Sequence, residues 1–352
     1  MGFEFFLEPS TVCLILSSLV TILFGCYMST NSAIIIDTEK AGELKPITIG
    51  LAIALPILGS VMLILLFFFM NILQYLLYIV IGAAAFSSLA LLLQPTAERI
   101  MDIILVMRSV PLTSPLRKHK SYVAAAIYMG ISLIVTVFWC VTLSWPLSNL
   151  IAISIGIVCI SGTRLPNMKV CAVLLGLFFV YDIFWVFMSG NLFGSSVMVS
   201  VAQGLVPEDG KSMPILLTVR TFISPGGSNL LGMGDILIPG LFLCYLYRVD
   251  QVKLRTGLAK EGSWGYFIPA LVMYYVGLLI TFLVLLCSGS GQPALLYLVP
   301  CILAAPTVQA LFFTHEFESL WKGSFFVPAE TQPQIAETSI DDNEETVEFT
   351  SN

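Results

Sequence analysis

Long apolar runs with few charged residues between them dominate this sequence of 352 residues. Charged residues make up 11% of the chain and the mean hydropathy is +0.94, whereas about 25% charged residues is usual for a soluble domain. A helix needs about 20 apolar residues to cross the hydrocarbon of a bilayer. The chain is therefore predicted to be an all-α polytopic protein of the lipid bilayer. It has no basic patch of the kind that binds nucleic acid.

Nine of these runs are long enough to be interpreted as transmembrane helices. They lie near residues 11–28, 46–70, 73–94, 121–144, 147–163, 170–189, 229–248, 264–287 and 291–313. Almost no linker separates the second run from the third, and Trp145-Pro146 interrupts the chain between the fourth and the fifth. Residues 1–314 are thus predicted to form one nine-span domain. Residues 315–352 are predicted to form a disordered, acidic cytosolic tail.

The positions of Lys and Arg predict how these spans are oriented. If the N-terminus is lumenal, 14 of the 16 basic residues fall on the cytosolic side, and only Lys211 and Arg220 are lumenal. Cytosolic loops are enriched in Lys and Arg, so a lumenal N-terminus and a cytosolic C-terminus are expected. The same reasoning predicts an interfacial helix on the cytosolic face at residues 98–108.

Two acidic residues, Asp182 and Asp235, lie inside predicted spans, and the other 20 fall in loops or tails. A carboxylate in hydrocarbon costs several kcal/mol, so it usually marks a functional site. Each aspartate lies six or seven residues from the lumenal end of its predicted span, which is roughly 10 Å at 1.5 Å per residue. Neighbouring antiparallel helices would therefore bring the two carboxyl groups to the same depth.

Paired carboxyl groups allow three interpretations. Two such groups in a low dielectric share one negative charge and titrate as a unit. The ionised oxygen can activate a water while the other group protonates a carbonyl, as in aspartic proteases. The same pair could also be a proton relay in a transporter, or a hydrogen-bonded contact that packs two helices. Depth and composition leave all three open.

Three short motifs accompany the aspartates. Tyr181 precedes Asp182, and Gly232-Met233-Gly234 precedes Asp235. Glycine permits a close approach of the backbone, although small residues also pack membrane helices together. The third motif, Gln292-Pro293-Ala294-Leu295, opens the last span, where proline is common in the first turn of a helix. The order of the three motifs along the chain favours one shared site.

In this order the motifs resemble those of the GxGD intramembrane aspartyl proteases, the group of signal peptide peptidases and presenilins. The resemblance covers essentially the whole membrane region, and both the third motif and the predicted orientation are closer to signal peptide peptidases than to presenilins. It implies a presenilin-like fold of nine helices. It also implies that Asp182 and Asp235 are catalytic and that other residues shape the active site or bind substrate. Those residues are Tyr181, Gly232, Met233, Gly234, Gln292, Pro293, Ala294 and Leu295.

The same resemblance suggests a substrate class and a location. It implies cleavage of type II transmembrane proteins or signal peptides in the Golgi, the endoplasmic reticulum or endosomes. The segment 164–170 resembles the Golgi-type branch. No cofactor or metal is implied, because both histidines lie outside the spans and no HExxH motif occurs. A proton-coupled transporter is the alternative, and a homo-oligomer is left open.

The predicted lumenal loop 190–228 contains one β-prone segment. Residues 215–219 (Ile-Leu-Leu-Thr-Val) allow two interpretations. One is an extended strand, with whose edge an extended substrate could pair by β-augmentation. The other is an ordinary lumenal loop or a partly inserted apolar run.

Overall fold

The structure is a computed structural model, and it describes residues 8–32, 45–107, 120–194, 197–198, 200–201, 213–221, 228–258, 265–288 and 292–326. The principal elements in these ranges are α1 (Pro9–Asn31), α2 (Ile49–Met107), α3 (Lys120–Thr142), α4 (Trp145–Gly162), α5 (Met168–Ile183), α6 (Ser189–Phe193), β1 (Leu216–Arg220), β2 (Ser228–Gly232), α7 (Gly234–Arg255), α8 (Phe267–Ser288), α9 (Leu295–Val308) and α10 (Phe317–Lys322). Among the described residues, seven helical segments are long and apolar enough to cross a membrane. The expected class of polytopic, mainly helical membrane protein is confirmed.

Helix α2 covers both the second and the third predicted spans. Its backbone is non-helical at Phe69 (φ −122°, ψ 31°), close to the predicted boundary between them. Residues 98–107 of the predicted interfacial segment continue this helix, and residue 108 lies outside the described residues. Met101 and Leu105 are buried there while Ile103 is exposed, so this end of α2 has an inner and an outer face.

The break between α3 and α4 lies where the sequence predicts it. Leu143 has a positive φ of 47°, and α4 begins at Trp145 with Pro146 in its first turn, where a missing N–H costs nothing. Across the break, the Trp139 indole N–H donates to Ser148 Oγ at 2.9 Å. The two helices are thereby fixed to each other beside the loop.

The seventh predicted span, residues 229–248, is wrong at its start. Residues 228–232 form strand β2, and α7 begins only at Gly234. Glycine is a poor helix former, and the apolar residues of this segment find a strand partner in β1. Asp235 therefore lies in the first turn of α7, not six residues inside a helix as predicted.

Strands β1 and β2 form an antiparallel hairpin, which adds a small sheet to a fold predicted to be all-α. Leu217 lies opposite Leu231, and Thr218 lies opposite Leu230. Of the two interpretations of residues 215–219, the structure shows the strand, displaced by one residue. At the end of β2 away from α7, the Asn229 amide donates to Ser10 Oγ and Thr11 Oγ1 at 2.9 and 3.0 Å. These bonds attach the hairpin to the start of α1.

The folded body extends past the predicted domain boundary at 314. Helix α10 packs its fully buried Leu320 against the membrane helices, and the Tyr245 hydroxyl of α7 donates to the Leu320 carbonyl at 2.8 Å. Lys253 donates to Glu316 Oε2 at 2.5 Å, and the Tyr266 hydroxyl donates to the same oxygen at 2.8 Å. Residues 315–326 therefore belong to the membrane domain. The remaining predicted tail, 327–352, lies outside the described residues.

Glu316→Ala is expected to lower stability by about 2 kcal/mol, because Lys253 would keep a mostly buried charge without its partner. The matched control is Glu318→Ala, which breaks an exposed i,i+4 pair with Lys322 and should leave the melting temperature unchanged. Thermal unfolding in detergent measures both. Equal melting temperatures for the two variants would contradict a structural role for the buried pair.

Candidate active site

Asp182 is the penultimate residue of α5 and faces the start of α9. Its side chain is only 4% exposed. The backbone N–H of Leu295 donates to Asp182 Oδ2 at 3.0 Å. Leu295 is the first residue of α9, and the first N–H groups of a helix have no partner within it. The start of α9 thus supplies an N–H without a partner inside the helix, and this N–H donates to the Asp182 carboxylate. The first and third motifs meet through this hydrogen bond.

The helix changes its winding immediately after Asp182. Residues Phe184–Met188 form a π-helical turn, which then continues into α6. Turns of this kind are rare and often occur at functional sites. The Trp185 side chain within it donates from its indole N–H to Ser60 Oγ of α2 at 3.1 Å. The chain around Asp182 is therefore held from α9 on one side and from α2 on the other.

Asp235 lies across from Asp182, in the first turn of α7. Helices α5 and α7 contact each other, and the two carboxyl groups are close enough to interact electrostatically. The Asp235 side chain is partly buried, while the neighbouring Ile236 is fully buried. The two aspartates that the sequence singled out lie on contacting helices.

The two glycines before Asp235 have different surroundings. A Cβ atom on Gly232 would lie 3.0 Å from Asp235 Oδ2, so the carboxyl group occupies the space that a side chain would need. A Cβ atom on Gly234 would have no neighbour within 4 Å among the described atoms. The packing of Asp235 thus explains why residue 232 is a glycine, but no contact in the structure explains the glycine at position 234.

Met233 connects the hairpin to α7. Its N–H donates to the Ile215 carbonyl at 3.0 Å, and its own carbonyl accepts from Leu237 N–H at 2.8 Å. The buried Met233 side chain packs on α4, where a Cβ on Gly156 would lie 3.0 Å from Met233 Cε. The residue between the two glycines is therefore an anchor for the turn that presents Asp235.

The other predicted site residues lie around the pair. Pro293 and Ala294 are buried beside Leu295, and the Gln292 amide donates to Ser288 Oγ at 3.1 Å, toward the end of α8. The Tyr181 ring packs on α2, where a Cβ on Gly59 would lie 3.6 Å from Tyr181 Cε2. Tyr181 thus contacts the helix that flanks the site.

One site neighbour escaped the sequence analysis. Tyr274 of α8 is fully buried, and its hydroxyl donates to the backbone carbonyl of Asp235 at 3.3 Å. It is one of 12 tyrosines in the chain, and nothing in the local sequence distinguishes it. Its bond fixes the first turn of α7 from the side of α8.

A buried and a partly buried carboxyl group on adjoining helices, beside a glycine-flanked turn, define a polytopic membrane protein with a paired-aspartate site. The model of the family described as signal peptide peptidase matches residues 39–326. The chain therefore belongs to the signal peptide peptidase family.

Relatives with assigned names agree with the family. The chain is 37% identical over 300 residues to signal peptide peptidase-like 3 of Arabidopsis thaliana, covering 81% of this chain and 52% of the relative. It is 32% identical over 315 residues to signal peptide peptidase-like 2B of Rattus norvegicus, covering 85% and 52%. It is 30% identical over 358 residues to signal peptide peptidase-like 1 of Oryza sativa subsp. japonica, covering 91% and 95%. The chain spans about half the length of the first two relatives and nearly the whole of the rice protein.

Proposed function

We propose that the protein is an intramembrane aspartyl endopeptidase whose catalytic dyad is Asp182 and Asp235. The observation that carries this proposal is the contact between the motifs. Leu295 N–H binds the carboxylate of Asp182, and Asp235 lies within electrostatic range of the same group. Membership of a family described as signal peptide peptidase supports peptide-bond hydrolysis. It gives no support to the alternative of a proton-coupled transporter.

The dyad hydrolyses a peptide bond without a cofactor. One aspartate is ionised and takes a proton from a water, whose oxygen attacks the carbonyl carbon, while the protonated aspartate donates to the carbonyl oxygen. The tetrahedral intermediate then breaks its C–N bond as a proton passes to the leaving amine. Leu295 N–H stabilises negative charge on Asp182 and keeps that carboxyl oriented. Pro293 and Ala294 are buried beside this donor, and their carbonyls accept bonds from the first turn of α9.

The substrates are transmembrane segments of type II membrane proteins or signal peptides. This proposal rests on the names of the relatives, which are signal peptide peptidase-like proteins, and on the orientation predicted from Lys and Arg, with a lumenal N-terminus and nine spans. If α2 counts as two spans, the seven apolar helical segments give eight spans, and α7 would be the ninth. The cytosolic half of α7 carries Arg248, Asp250 and Lys253. The enzyme would act in the endomembrane system, as a member of the Golgi-type branch.

An extended substrate would pair with β2, not with β1 as the sequence suggested. The backbone of Thr218 points away from β2, because its N–H and carbonyl bond the Asn149 side chain. In an antiparallel pair the residue opposite, Leu230, then points its own N–H and carbonyl away from β1. That edge of β2 has no further strand among the described residues. It leads directly to Gly232 and Asp235.

The decisive experiment is cleavage by the purified protein in detergent or nanodiscs. A peptide spanning the membrane of a type II protein serves as substrate, and mass spectrometry locates the cut. An aspartyl transition-state analogue should block the reaction. Cleavage that resists this analogue, or an absence of cleavage with every transmembrane peptide offered, would refute the proposal.

Gly232→Ala is expected to reduce cleavage by more than tenfold, because a methyl group would displace the Asp235 carboxyl. Gly234→Ala is the matched control, since the same methyl group there meets no described neighbour. Affinity for the transition-state analogue, measured by competition, should fall for the first variant and persist for the second. Equal analogue affinities in the two variants would contradict this role of Gly232.

A further inference from the structure

We propose that Asn149 is a positioning residue that closes the outer edge of β1, so that an extended substrate can pair only with β2. This inference rests on the proposed protease function and adds a determinant of where the substrate binds. Asn149 belongs to the second turn of α4, in the membrane domain, and lies outside the three motifs that form the dyad.

The Asn149 side chain imitates a neighbouring strand. Its Nδ2 donates to the Thr218 carbonyl at 2.7 Å, and its Oδ1 accepts from the Thr218 N–H at 2.9 Å. A residue of an antiparallel strand exchanges the same two bonds with its partner. The carboxamide carries one acceptor and the N–H donors needed for both. One asparagine therefore occupies the position at which a third strand would begin.

The two bonds satisfy backbone groups that water reaches poorly. Thr218 is 6% exposed, and Leu217 before it is fully buried. Buried backbone N–H and carbonyl groups almost always have a partner, and an open strand edge invites another strand to pair with it. With Asn149 present, the edge of β1 is closed and the edge of β2 at Leu230 is left for pairing.

Helix α4 holds the hairpin at two points. Asn149 binds β1, and Gly156, two turns further along, receives the Met233 side chain next to the site. Met233 N–H in turn binds the Ile215 carbonyl at the start of β1. A change at Asn149 would therefore alter the position of the hairpin relative to Asp235 without touching either carboxyl group.

The test compares Asn149→Leu, which keeps the shape but removes both bonds, with Asn149→Asp, which keeps the acceptor for Thr218 N–H. Ser154→Ala is the matched control, since it removes a buried side-chain bond within the same helix, to the Leu150 carbonyl. We expect Asn149→Leu to raise KM about tenfold, as the loss of a buried hydrogen-bonding partner would. It should also add cut positions while the affinity for the active-site analogue stays within about twofold. Asn149→Asp should lie between wild type and Asn149→Leu, and Ser154→Ala should behave as wild type.

Hydrogen–deuterium exchange of the peptide covering residues 213–221 gives a readout that needs no activity. Faster exchange of this peptide in Asn149→Leu supports the closed edge. Wild-type KM and cut positions in Asn149→Leu would overturn the inference. The inference would also be overturned if Asn149→Leu lost affinity for the analogue to the same extent as it lost kcat, because that pattern indicates a disrupted active site. If the wild-type protein cleaves nothing, the proposed function fails. In that case, unchanged exchange of this peptide in Asn149→Leu would separately overturn the inference that Asn149 closes the edge of β1.

Discussion

Replacement of either Asp182 or Asp235 by asparagine is expected to abolish cleavage while the protein stays folded. Asparagine has the size of aspartate and can still accept the bond from Leu295 N–H, but it can neither take a proton from water nor donate one as a carboxylic acid. Loss of general acid–base catalysis lowers rates by about 10²–10⁴-fold. The two residues act as a unit, so the double variant should lose no more activity than either single one.

Single-turnover assays with a transmembrane peptide measure this loss, and thermal unfolding checks the fold. Asp102→Asn is the control, because it removes a carboxylate from an exposed ion pair with Lys120 and should leave activity unchanged. Retention of more than a tenth of wild-type activity by either dyad variant would remove that aspartate from the mechanism.

The second large effect is expected from Leu295→Pro. Proline lacks the backbone N–H, so this change removes the only donor that the described residues show on Asp182. The first turn of a helix tolerates proline, and α9 should still form. A hydrogen bond to a charged group is worth about 1.5–3 kcal/mol, so cleavage should fall by about 10- to 100-fold.

Two control variants separate this bond from the packing of Leu295, which is buried. Leu295→Ala keeps the N–H but loses the side chain, so it should retain more activity than Leu295→Pro. Leu296→Pro introduces the same ring one residue later, where it removes a bond to the Pro293 carbonyl and leaves Asp182 paired. Equal activities of Leu295→Pro and Leu296→Pro in the peptide assay would show that the donor to Asp182 is dispensable.

The membrane helices were predictable because hydrophobicity is a local property of the sequence. The apolar runs locate α1, α3 and α8 within a few residues, and the scarcity of intramembrane charge identifies Asp182 and Asp235. Local hydrophobicity fails at residues 229–232, where Asn-Leu-Leu-Gly is apolar enough to extend a helix. Strand β2 forms there because β1 lies beside it, and such a partner from elsewhere in the chain leaves no local signal.

The contacts that support the site could not be predicted from the sequence, for a related reason. Leu295 was predicted to shape the substrate site, but its bond to Asp182 uses a backbone N–H that every residue except proline carries. Tyr274 and Asn149 act on backbone groups of Asp235 and Thr218 in other elements. Only the packing of the helices determines which of many similar side chains reach those groups.

The π-helical turn at Phe184–Met188 has a consequence for the angular phase of its helix. Such a turn accommodates one residue more than an α-helical turn, and each residue of an α-helix advances the chain by about 100°. Regular α-helical winding of the same residues would rotate everything beyond them by roughly that angle relative to Asp182. Ser189, whose hydroxyl accepts from Val197 N–H at 3.2 Å, would then face another direction. Deleting one residue in this turn should restore regular winding and keep Ser189 in phase with Asp182, so it should be tolerated far better than a single-residue deletion in a regular turn of α5.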